Sequence, residues 1–115
     1  MIPSAPSMLA QIALPITPTI LYEIPESTPG NTVAHITSMW VCNVDVSIRL
    51  MTQRYGKGTL TSLNALFEGA AIEPHRTYIL FDGSPIKMTK GFRLEGFADV
   101  ANTIVVTLFG EIWRG

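Results

Sequence analysis

The sequence predicts an all-β fold: an antiparallel, jelly-roll-like β-sandwich of about eight strands, preceded by an extended Pro-rich N-terminal arm. Three observations predict it. Short runs rich in β-branched and aromatic residues recur between Gly, Pro, Asn and Asp turn signals. The strongest run, "NTIVVTLFGEIW" (102–113), places Ile104, Val106, Leu108 and Ile112 on one face. No segment carries a convincing helical period, with 59–67 the only weak candidate. At 115 residues the chain is one domain, and a chain this size buries roughly two-thirds of its unfolded surface without disulfides or metal. The expected division is an assembly arm over 1–19 and a sandwich over 20–115.

The arm comes first. In "MIPSAPSMLAQIALPITPTILY" no charge precedes Glu23, and prolines stand at positions 3, 6, 15 and 18. No Lys or Arg precedes Arg49, so the basic region of a secretory signal is missing. The longest proline-free stretch, Ser7 to Leu14, is far short of the roughly 20 residues that span a bilayer. The expectation is a stiff, extended arm docked on another chain through Ile2, Met8, Leu9, Ile12, Leu14 and Ile16. Each contributes on the order of 1–2 kcal/mol when buried, and the arm reaches up to ~60 Å.

The strands follow in order. "TILYEI" (19–24) is short, and Pro25 ends it by withholding a ladder donor. "TVAHITSMWVCN" (32–43) breaks its period between Ile36 and Met39, which a β-bulge near Thr37 and Ser38 repairs. "VDVSIRLM" (44–51) alternates cleanly, with Val46, Ile48 and Leu50 on one face. "TQRYGKGTLTS" (52–62) is the longest polar stretch and reads as an exposed loop. Its Arg54, Tyr55, Gly56, Lys57 and Gly58 are expected in solvent or at a subunit contact. "NALFEGAAIE" (64–73) and "RTYILF" (76–81) are strands, "DGSP" (82–85) a turn, and "IKM" and "FRLEGFA" strands around "TKG". Val46, Ile48, Ile104, Val106 and Leu108 are expected to share the interior.

Catalytic and metal chemistry finds little support. His35 and His75 lie 40 residues apart without a metal-ligand spacing, and read as a strand residue and a turn residue. Cys42, the single cysteine, reads as a small buried strand residue; it forms no intrachain disulfide and suits a reducing compartment. No GxSxG surrounds a serine. "YGKG" (55–58) lacks the strand–loop–helix setting of a phosphate loop. Glu23/Glu26 and Glu68/Glu73 fall at strand ends, where carboxylates sit solvated. Arg49, Arg54 and Lys57 give only weak, salt-sensitive nucleic-acid binding. Neither an enzyme, a cofactor nor a metal site is expected. Charged residues make up 15% of the chain, against about 25% in typical domains, so partners are expected to cover part of the surface. A net charge of −1 steers the chain toward neither nucleic acid nor anionic lipid.

The order of segments carries a resemblance. Leu21, Tyr22, Ile24 and Pro25, then Val41, Cys42 and Asn43, then Val46 and Ile48 resemble the opening of a β-module recurrent in tailed-phage structural proteins. Met88, Gly91 and Leu94 in "MTKGFRLEGFA", and the closing "VVTLFGEI", are similar to its second half; Phe92 stands where that family has Asp. The resemblance spans about 21–112 and implies a virion structural protein, assembled in the host cytoplasm. The first reading is a capsid decoration (cement) protein on the head shell. Its partners would be the major capsid protein or other virion proteins, without nucleic acid or membrane. A homo-oligomer is expected, a trimer preferred to a dimer. The alternatives are a tail or head–tail connector component, or a carbohydrate- or receptor-binding module with Trp40, Tyr55 or Trp113 as stacking platforms. Tyr55 and Trp113 are also further interface candidates.

Overall fold

The structure of the chain, a computed structural model, describes residues 7–114, and of residues 81–84 the backbone only. Eight strands follow one another: β1 Ser7–Ala13, β2 Thr19–Glu23, β3 Val33–Asn43, β4 Arg49–Lys57, β5 Ala65–Ile72, β6 Thr77–Met88, β7 Phe92–Ala98 and β8 Ile104–Trp113. One sheet has the order β1-β8-β3-β6, the other β2-β7-β4-β5. Every pairing is antiparallel. The pairs nest: β4 with β5, β3 with β6, β2 with β7, β1 with β8. This is one long hairpin rolled up into two layers, the jelly-roll arrangement.

Alternation builds the core. On β8, Ile104, Val106 and Leu108 are buried while Val105, Thr107 and Phe109 look outward. On β3 the inward set is Ala34, Ile36, Met39 and Val41. The change of phase between Ile36 and Met39 is the expected bulge, a register shift between Ile36 and Ser38 against both neighbouring strands. Gly110 sits opposite Ile36 at this irregularity. A Cβ there would lie 2.1 Å from the His35 carbonyl oxygen, so only glycine lets the two backbones approach. Gly91 closes the tight turn between β6 and β7 at φ 84°, a conformation that glycine adopts without strain.

Asn43 ends β3 and is fully buried. Its Nδ2 donates to the carbonyls of Ser47 and Ile72, each at 2.8 Å, and its Oδ1 accepts from the Asp45 N–H at 2.8 Å. One side chain thus fastens the β3–β4 connection to the end of β5. Tyr55 on β4 donates its hydroxyl to the Lys87 carbonyl on β6, a bond that crosses from one sheet to the other.

Four expectations are corrected. Residues 7–13 form β1, an edge strand hydrogen-bonded to β8 of their own domain, so the boundary at residue 19 does not separate an arm from a sandwich. Leu14 is completely buried, and Leu9 and Ile12 pack against the same core. The strand read at 44–51 lies instead at 49–57, with Met51 and Gln53 inward; Val46 and Ile48 are exposed. The polar stretch 52–57 therefore belongs to a central strand, because pairing on both sides with β5 and β7 outweighs its polar composition. The turn expected at 82–85 is an irregularity within β6, where three residues (83–85) oppose Thr37 alone.

Candidate assembly surface

Each strand crosses the sandwich, so successive connections alternate between its two ends. The connections 14–18, 44–48, 73–76 and 99–103 share one end. Backbone hydrogen bonds tie them together. Leu14 donates to Ile104, Asn102 to Leu14, Ala98 to Pro15, Val44 to Thr103, and Asn43 to Arg76. Asp99 and Leu50 join the same network, the Asp99 N–H donating to the Leu50 carbonyl at 3.1 Å and the Leu50 N–H to Asp99 Oδ1 at 3.1 Å.

This end is paved with aliphatic side chains. Ile16, Val44, Val46, Ile48, Leu50 and Val100 are between 40% and 77% exposed. Scattered apolar residues are ordinary on a protein surface, but contiguous patches mark interaction sites. Three hydrogen-bonded segments bring these six together, although Ile16 and Val100 are far apart in sequence.

Three charges of this end are matched among themselves, while Glu73 and Arg76 on the 73–76 connection are exposed. Arg49 contacts Asp45 Oδ2 through Nε at 2.7 Å and through its terminal nitrogen at 2.6 Å, and lies 3.8 Å from Asp99. The Val46 N–H donates to Asp45 Oδ1 at 2.7 Å. That backbone bond, and next the Arg49 guanidinium, hold the Asp45 carboxyl below the ordinary carboxylate range. The ion triad and the aliphatic residues together make a surface suited to an apolar partner rather than a charged one.

The sequence-predicted contact residues scatter. Ile16 is in this patch. Met8 is exposed on the outer face of the first sheet, paired with Phe109. Leu9, Ile12 and Leu14 serve their own core, and Ile2 lies outside the described residues. Tyr55 is half-buried, 5.7 Å from Phe92 in ring centroids, and its phenol is pushed up by burial. Trp113 ends β8 at 6.2 Å from the His35 ring, beside Val33 and Lys87. Cys42 is half-buried on the outer face of β3, not in the interior. Val44, Val46, Ile48, Leu50 and Val100 were not anticipated as contact residues. The available signal was "NVDVS" (43–47), where Asn and Asp two apart mark a turn rather than a strand.

At the opposite end a shallow cleft of about 350 Å³ lies between Glu23, Glu26, Lys57, Gly91 and Arg93. Among the described residues, no group of three or more His, Cys, Asp or Glu is placed to hold a metal ion. No helix among them is long and apolar enough to cross a membrane. Compared with protein-family models, curated proteins and solved structures, the chain matches none.

Proposed function

We propose that this chain is a virion structural protein, a capsid decoration protein that seats its apolar loop end on a phage head shell. The carrying observation is the crowding of six exposed aliphatic side chains at one end of a jelly roll. Jelly rolls recur in viral capsid and lectin domains, which supports the reading at the level of fold analogy. The partner is the major capsid protein or another virion protein, the protein acts as a homo-oligomer, and its place is the virion. Because Arg49 is matched by Asp45 and Asp99, the patch offers little to nucleic acid or to anionic lipid. A tail or connector location uses the same surface, and copy number per particle separates it from decoration of the whole head.

The test is co-sedimentation with shells that lack the protein. Val46→Asp combined with Ile48→Asp places two carboxylates on exposed positions, so cooperative melting is retained while shell binding is lost. Undiminished binding by the double variant refutes the reading. A carbohydrate-binding role is the second reading, favoured by the exposed Trp40 ring 5.4 Å from Phe109. Glycan-array binding that disappears in Trp40→Ala identifies that role instead.

A further inference from the structure

The outer face of the β1-β8-β3-β6 sheet is unlike the rest of the surface. Two complete cross-strand rows carry no charge: Ala13–Val105–Cys42–Thr77 and Gln11–Thr107–Trp40–Ile79. A third row runs Met8–Phe109–Ser38–Asp82 and is uncharged as far as Asp82 on the edge strand. The Gln11 amide donates to the Thr107 hydroxyl at 3.1 Å and the Trp40 indole to Ser38 at 3.0 Å, so polar groups here are partnered within the face. Charge appears at the margins, at Asp82 on the edge strand β6 and in the row Glu111–His35–Lys87. The other sheet is built the opposite way. Arg93 lies 3.4 Å from both Glu23 and Glu95, and Arg54 stacks over Phe97 at 5.3 Å.

We infer that a second copy of this chain packs face to face on the β1-β8-β3-β6 sheet, about a two-fold axis. The inference rests on the reading of the chain as an assembly protein and names the surface of self-association. Charge selects the occupant. A two-fold contact places a patch against itself, so like charges at its centre would repel; here the centre has none. A head-to-tail ring that set this face on the other sheet would strip water from the Glu23–Arg93–Glu95 ions, a costly desolvation. A dimer is therefore favoured over the trimer that the sequence suggested.

Area agrees. Four strands at about 4.8 Å spacing are about 19 Å wide, and ten-residue strands are about 33 Å long. That footprint of roughly 600 Å² grows with side-chain relief toward the ~800 Å² per partner of a standard interface. Small residues around one aromatic pair allow the close, slightly rotated packing of two sheets.

Sedimentation equilibrium of the full chain, followed in parallel by tryptophan emission, tests this. A dimer is expected at micromolar concentration, with emission shifting to the blue as Trp40 loses water; a Trp113→Phe background isolates that signal. Thr107→Glu, and independently Ile79→Lys, put a charge into the uncharged rows and give folded monomers. Glu95→Gln, on the other sheet, remains dimeric. A parent that stays monomeric, a trimer, dimers in both face variants, or equal dissociation of Glu95→Gln each overturn the inference. Shell binding is scored separately with the Val46/Ile48 double variant, so failure of one proposal is distinguishable from failure of the other.

Discussion

Replacing Asn43 with Ala removes the three hydrogen bonds that join β3, the 44–48 connection and β5. The Ile72 carbonyl is left buried without that donor, at about 1–3 kcal/mol. The Ser47 carbonyl and the Asp45 N–H are closer to water, and losing their bonds costs about 0.5–1 kcal/mol each. The sum is about 3 kcal/mol, against a total stability of roughly 6–17 kcal/mol for a chain of this length. With an unfolding entropy near 2.1 cal/mol/K per residue, 3 kcal/mol corresponds to about 12 °C in Tm. Thermal unfolding followed by circular dichroism measures it. Asn43→Asp adds a pH signature. Burial opposite two carbonyls raises the new carboxyl's pKa in the folded state, so the folded state binds the proton more tightly than the unfolded one. The penalty relative to Asn43 is thus largest at neutral pH and shrinks as pH falls through the raised value. A drop of under about 4 °C for Asn43→Ala, or an Asn43→Asp penalty independent of pH, refutes the assignment of this side chain as the fastener.

Leu14→Ala empties a fully buried site and is expected to cost about 2–5 kcal/mol; a denaturation midpoint equal to the parent's would return Leu14 to a free arm. Gly110→Ala drives a methyl group onto the His35 carbonyl, and the expected outcome is a loss of at least about 3 kcal/mol or failure to fold, read by urea unfolding. Because the native Asp45 carboxyl is held below its ordinary value, its stabilising contribution is present above the ordinary carboxylate range and is lost as pH falls through the lowered one. Asp45→Asn is therefore expected to flatten the acid limb of the Tm-against-pH profile, and an unchanged limb counts against the Arg49 pairing.

Much of the sandwich was legible in the sequence because two local signals coincide there. Between Ile104 and Trp113, alternation and β-branched content agree, and a turn lies on the N-terminal side. The bulge on β3 was visible because Ile36 and Met39 cannot both be inward on a regular strand. The position of β4 is not legible locally, because "VDVSIRL" alternates as well as a strand does. The true inward set, Met51 and Gln53, includes a buried amide that no periodicity argument selects. The prolines that flank β1 give it the composition of an arm, although the proline-free stretch Ser7 to Leu14 coincides with β1 and the buried leucine after it. The contact surface was the least legible. Val46 and Ile48 have the composition of core residues, and only pairing partners distant in sequence decide that they lie outside.

Nesting of the strand pairs sets the order in which the fold can form. β4 and β5 meet after closing a short loop, since Arg54 lies opposite Ala65. β1 and β8 join residues nearly a full chain apart, as Ser7 opposite Gly110 shows. Loop-closure entropy grows with separation unless inner pairs have already drawn the ends together. Zipping from the β4–β5 hairpin outward is accordingly the least costly route, with β1 docking last and the whole in the millisecond-to-second range of non-local β topologies. Until that final step, the β8 edge stands unpaired and open to any uncharged strand nearby, including β1 of another copy. Synthesis at high local concentration thus exposes this chain to strand exchange at one predictable seam.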